Sequence, residues 1–148
     1  MPKVDLDSIE KVQRTGYPPP HDEQVRGRWS QRLAPVFGLA DFGANVATLE
    51  PGAWSSQRHW HEGEDEFLVM LSGEAVLIED EGETILRPGD CAAWPKGVAN
   101  GHHLVNRSDR PCRLIAIGRV PEALCHYSDI DMMVDPAKGY TRKDGTPY

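Results

Sequence analysis

From about residue 35 to residue 120 the chain is a succession of short apolar runs, each cut off by Gly, Pro or Asp. The runs are ANVATLE (44–50), SSQRHWH (55–61), EFLVMLS (66–72), AVLIE (75–79), ETILR (83–87), CAAW (91–94), HHLVN (102–106) and CRLIAIG (112–118). Their terminators are turn dipeptides and tripeptides such as Pro51-Gly52, Gly73-Glu74, Pro88-Gly89-Asp90 and Pro95-Lys96-Gly97. Proline presets a turn-compatible φ and glycine supplies the positive φ that closes it. Eight runs spaced about ten residues apart, with no helical periodicity of useful length, predict an antiparallel β sandwich or barrel. In FLVML (67–71) both alternating faces are apolar: Phe67, Val69 and Leu71 on one, Leu68 and Met70 on the other. Such a strand needs cover beyond its own barrel, from the N-terminal segment or from a second subunit.

The chain divides into three parts. Residues 1–34, which include Pro18-Pro19-Pro20, read as an extended N-terminal arm. Residues 35–120 form the barrel. Residues 121–148 form a C-terminal extension packing on it, with one more strand near IDMMV and a polar end. A length of 148 residues suits one core. The net charge of −7 comes with no Lys/Arg block, so no nucleic-acid or membrane partner is expected. The start MPKVDLDSIE lacks an apolar leader. With three cysteines and no CxxC pair, this favours reduced thiols and a cytoplasmic location. Cys91 and Cys112 read as core residues.

The chemistry concentrates in HWHEGEDEF (59–67). On a strand, His59 and His61 share one face and Trp60 takes the other. Glu66 opens the next strand, where a tight hairpin returns its carboxylate to the histidine pair. Glu62, Glu64 and Asp65 read as a solvated turn. If the histidines point inward, so does Gln57, while Arg58 faces out and Trp94 can wall the pocket.

Two spaced motifs then resemble the cupin superfamily. PGAWSSQRHWHEGEDEFLVMLSGE is similar to the family's first motif, G-x5-H-x-H-x3,4-E-x6-G, with one extra residue between Gly52 and His59. PGDCAAWPKGVANGHHLVN is similar to the second, G-x5-P-x-G-x2-H-x3-N, at Gly89, Pro95, Gly97, His102 and Asn106, with two extra residues before the histidine. The resemblance implies an all-β double-stranded β-helix, the cupin jelly-roll barrel, and a metal held by His59, His61, Glu66 and His102. His103 and Asn100 are the alternatives for the last position. Three imidazoles and a carboxylate suit one divalent transition metal: Zn, Fe, Mn, Ni, Co or Cu. The implied function is a metal-dependent enzyme on a small polar metabolite, of dioxygenase, lyase or isomerase type. A non-catalytic small-molecule binder or sensor is the second reading, and a metal-independent sugar epimerase-like barrel the third. No separate nucleophile is assigned. A homodimer is expected from the two-sided strand and the arm.

Overall fold

A computed structural model describes residues 3–119 and 122–148. The eight runs become β2 (Gly43–Leu49), β3 (His59–His61), β4 (Glu66–Ser72), β5 (Ala75–Glu79), β6 (Gly82–Leu86), β7 (Cys91–Trp94), β8 (His103–Val105) and β9 (Cys112–Gly118). Four further strands flank them: β1 (Arg28–Arg32), β10 (Cys125–Tyr127), β11 (Met133–Asp135) and β12 (Gly139–Thr141). A five-residue helix, α1 (Leu33–Phe37), follows β1 and ends at Gly38. The strands form a five-stranded sheet β1-β2-β9-β4-β7, a four-stranded sheet β12-β11-β10-β3 and a three-stranded sheet β6-β5-β8. Bridges His59–His102 and Trp54–Val105 join the last two sheets edge to edge. The result is a double-stranded β-helix jelly roll.

Alternation sets the faces. Leu68 and Met70 of β4 point inward and are 4% and 1% exposed, joining Leu49, Leu77, Leu104 and Leu114 in the core. Their neighbours Phe67 and Leu71 point outward and are 40% and 43% exposed. The arm does not cover them. It lies over β2 and β9 instead, where Ile9 and Leu6 pack with Leu33, Ala44, Val46 and Ile115. The buried Gln31 amide fastens it there by donating to the carbonyls of Leu6 and Ile9. Burying those apolar faces outweighs the entropy of holding an otherwise irregular segment.

The part read as an arm therefore also supplies the edge strand β1, paired in register with β2 from Arg28–Leu49 to Arg32–Asn45. RWSQR has no apolar alternation to announce a strand; the free edge of β2 organises it. The C-terminal part goes beyond an extension, because β10 pairs directly with β3. Among the cysteines, Cys112 and Cys125 are buried but Cys91 is exposed, so Cys91 is not a core residue.

Asn106, fully buried, holds the β8–β9 turn. Its amide donates to the carbonyls of Leu49 (2.8 Å) and Arg110 (2.7 Å), and its side-chain oxygen accepts from Ser108. This accounts structurally for the asparagine that ends the second motif.

Cys112, 0% exposed at the start of β9, gives the fold an alkaline limit. Burial pushes its thiol from the ordinary 9 up to about 11. The folded state thus favours the neutral thiol. That contribution is complete below pH 9 and is lost as pH rises toward 11. At pH 10.5 the loss is about 2 kcal/mol. Urea denaturation at pH 8 and pH 10.5 should show wild type losing that much more stability than Cys112→Ala. Equal losses in the two proteins would refute the assignment.

Candidate metal centre

Each proposed ligand is delivered by a different backbone constraint. His59 and His61 alternate on β3 with Trp60 turned away, and Trp60 stacks on His126 outside. Glu66 begins β4 after the turn 62–65. His102 enters through its two backbone hydrogen bonds to His59, at 3.2 and 2.9 Å.

The imidazoles are oriented by their second nitrogens. The Nδ1 of His59 lies 2.8 Å from the Gln57 carbonyl oxygen, that of His61 2.7 Å from Glu64 Oε1, and that of His102 2.9 Å from the Asn100 carbonyl oxygen. Carbonyls and carboxylates only accept, so each Nδ1 carries a hydrogen and each Nε2 is turned toward the cluster. All three Nε2 atoms face one atom, Glu66 Oε2, at 3.9 Å (His59), 3.4 Å (His61) and 2.7 Å (His102). The 2.7 Å contact between His102 and Glu66 is a hydrogen bond, and a metal ion taken up by the cluster would replace it. The donor set and its orientation therefore fit a metal.

The electrostatics differ between the proposed ligands: His59 is held neutral, while His61 is held protonated until a bound cation displaces its proton. Burial holds His59 down at about 4, keeping it neutral as a ligand must be. Burial alone would raise Glu66, but the His102 hydrogen bond and the neighbouring histidines outweigh it and hold the carboxylate at about 2. Burial alone would lower His61; the Cys125 and Glu64 side chains outweigh it and raise the ring to about 10.

Three donor groups each have their atoms within 4.8 Å of one another: His59, Glu66 and His102; His61, Glu64 and Glu66; and His59, His61 and Cys125. The structure thus brings His59, His61, Glu66 and His102 together around Glu66. The alternatives lie elsewhere. His103 turns to Trp54 and to the Ser56 carbonyl, and Asn100 donates to Glu79.

Three sequence expectations change. Glu64 is not solvated: it is 8% exposed and buttresses His61. Gln57 does not line the site, because β3 starts only at His59. Its amide instead bonds His21 and Gln24 beneath the N-terminal segment. Arg58 is largely enclosed, gripping Asp129 in a bidentate pair at 2.6 and 2.8 Å and also pairing with Asp80. Glu64 and Cys125 went unassigned as site residues. The only available signal for Glu64 was its i+3 spacing from His61, and Cys125 had none.

A cavity of about 340 Å³ opens onto the cluster. His59, Glu66 and His102 form one wall, and Leu68, Leu104, Leu114 and Ala116 form an apolar lining. Trp94 closes a side, stacked on His102 at 3.9 Å and held by its indole N–H on Glu79. Arg28 and Arg32 of β1 face the same cavity. Among the described residues neither forms an ion pair, although Arg28 donates to the carbonyls of Ser55 and Arg14.

A single-domain jelly roll with a His/Glu cluster inside its barrel defines a class, and the comparisons agree with it. Residues 45–118 match the sequence profile of the cupin domain, and the chain belongs to the cupin superfamily. A sugar phosphate isomerase from a cupin superfamily of Silicibacter pomeroyi DSS-3 is 46% identical, with 99% of this chain and 96% of that one covered and a TM-score of 0.93. The polyketide cyclase of Streptomyces resistomycificus (17% identity, 80% and 78% covered, TM-score 0.66) shares the fold. So does the oxalate decarboxylase of Lactobacillus farciminis (18%, 84% and 34%, TM-score 0.59). No curated protein sequence matches this chain significantly. No helix among the described residues is long and apolar enough to cross a membrane.

Proposed function

We propose that this cupin is a metal-dependent enzyme acting on a small anionic metabolite, with His59, His61, Glu66 and His102 as metal ligands. One observation carries the reading. The same cavity has the oriented histidine–carboxylate cluster on one wall and, on another, two arginines that form no ion pair among the described residues. The 46% identical relative, described as a sugar phosphate isomerase, supports a charged, oxygen-rich substrate.

The chain's own residues divide the work. Guanidinium groups bind carboxylate or phosphate through a planar fork of donors. Arg28 uses two of its nitrogens on backbone carbonyls, which fixes its orientation and leaves further N–H groups for a ligand. Arg32, exposed at the rim, meets the anion on entry. Leu68, Leu104 and Leu114 exclude water from the inner end, which strengthens every polar contact there. Trp94 and the Asn100 carbonyl hold His102 in a single orientation. A divalent ion, when bound, supplies Lewis-acid polarisation of a substrate oxygen. Nitrogen-rich donors favour a transition metal over Mg²⁺ or Ca²⁺.

Elemental mass spectrometry on protein purified without chelators should find about one transition-metal ion per chain, because the three donor groups overlap and share His59, His61 and Glu66. Absence of metal, together with unchanged ligand binding in His59→Ala, would overturn the reading.

A further inference from the structure

We propose that Cys125 is a sulfur ligand to the metal ion of this site. The inference rests on the metal reading above and adds a donor to it.

β10 runs antiparallel to β3 with Cys125 opposite His61 and Tyr127 opposite His59. Residues directly opposite on neighbouring strands project from the same face with their Cβ atoms about 5 Å apart. Cys125 therefore emerges on the face that carries both histidines. Its sulfur and one nitrogen from each of His59 and His61 lie within 4.8 Å of one another. With metal–sulfur and metal–nitrogen bonds of about 2.3 and 2.1 Å, two donors on one tetrahedral ion stand about 3.6 Å apart. The three side chains would close on an ion by up to about an ångström, within reach of rotamer adjustment.

The surroundings point the same way. Cys125 is 5% exposed, forms no disulfide and stands opposite His61 in the β3–β10 ladder. The other two cysteines are placed differently. Cys91 lies on the surface, and Cys112 packs in the main core beside Gly73. Cys125 also packs with Tyr127 and Met132.

The consequence is chemical. A thiolate is a soft donor, so the site moves toward Zn²⁺, Co²⁺ or Cu⁺ and away from Mn²⁺. Metal uptake then releases the thiol proton to solvent.

Titration of metal-free protein with Co²⁺ tests this. Visible ligand-field bands report binding, and a near-ultraviolet sulfur-to-cobalt charge-transfer band reports the thiolate. Wild type should show both, and so should Cys91→Ser. Cys125→Ser should keep the visible bands, lose the near-ultraviolet band and bind Co²⁺ about tenfold more weakly. Visible bands without the charge-transfer band in wild type would overturn the proposal, and so would survival of that band in Cys125→Ser. If Cys125→Ser fails to fold, the wild-type spectrum decides alone. Failure of wild type to bind Co²⁺ at all would overturn the metal reading along with it.

Discussion

His59→Ala is expected to weaken Zn²⁺ or Co²⁺ binding by at least ~100-fold, about 2.7 kcal/mol or more. The ring sits at the centre of the cluster, with centroids 4.8 Å from His61, 5.1 Å from His102 and 5.9 Å from Tyr127. It belongs to two of the three donor groups, so its loss dismantles both. Removing a group that merely orients a ligand costs about 10- to 100-fold, and a ligand should cost more. His103→Ala is the matched control. His103 is 4% exposed, but its ring faces Trp54 at 4.6 Å and its Nδ1 is bound to the Ser56 carbonyl. Calorimetric titration of that variant should give an affinity within about threefold of wild type. A loss in His103→Ala as large as that in His59→Ala would make His103 a ligand.

Gly73→Ala should be the most damaging single-atom-scale change to the fold, costing about 3–5 kcal/mol in urea denaturation. Two effects add. Gly73 has φ +69°, a conformation that costs an L-residue about 1–2 kcal/mol. An added Cβ would also sit 2.8 Å from Cys112 Cα and 2.9 Å from the Pro111 carbonyl oxygen. Both are backbone atoms at the entry to β9, which pairs with β2 and β4 at the middle of the main sheet. That sheet cannot shift cheaply. Gly38→Ala separates the terms: φ is +66°, but nothing lies within 4 Å of the new atom. It should cost about 1 kcal/mol. Similar losses in the two variants would show that steric contact at Gly73 is unimportant.

The contrast between these residues shows what could be read along the chain. Gly73 terminates an apolar run, and its positive φ follows from the need to turn there. The inward set Leu68 and Met70 follows from the two-residue period of a strand. His59 and His61 follow the same period, which is why they share a face. Each of these is a relation between near neighbours. The strand expected at 55–61 pairs only over His59–His61 because residues before it make other bonds. The Trp54 amide donates to the Gln24 carbonyl and that of Gln57 to the Tyr17 hydroxyl. Those partners lie in the N-terminal segment, which no local pattern connects to residue 55. β1 was illegible for a related reason: its sequence is polar and its order comes from the edge of β2.

The amino-acid sequence by itself determined the strand series, its turns and the donor types that make a metal site chemically reasonable. Those properties rest on φ/ψ preference, alternation and side-chain chemistry, all of which act over a few residues. Only the tertiary structure decided that Glu64 is buried against His61, that Cys125 stands opposite His61, and that Arg28 and Arg32 share a cavity with His59, Glu66 and His102. The physical reason is cross-strand register. Residues 61 and 125 are neighbours because β3 and β10 share one hydrogen-bond ladder, and a slip of one position would turn Cys125 to the other face.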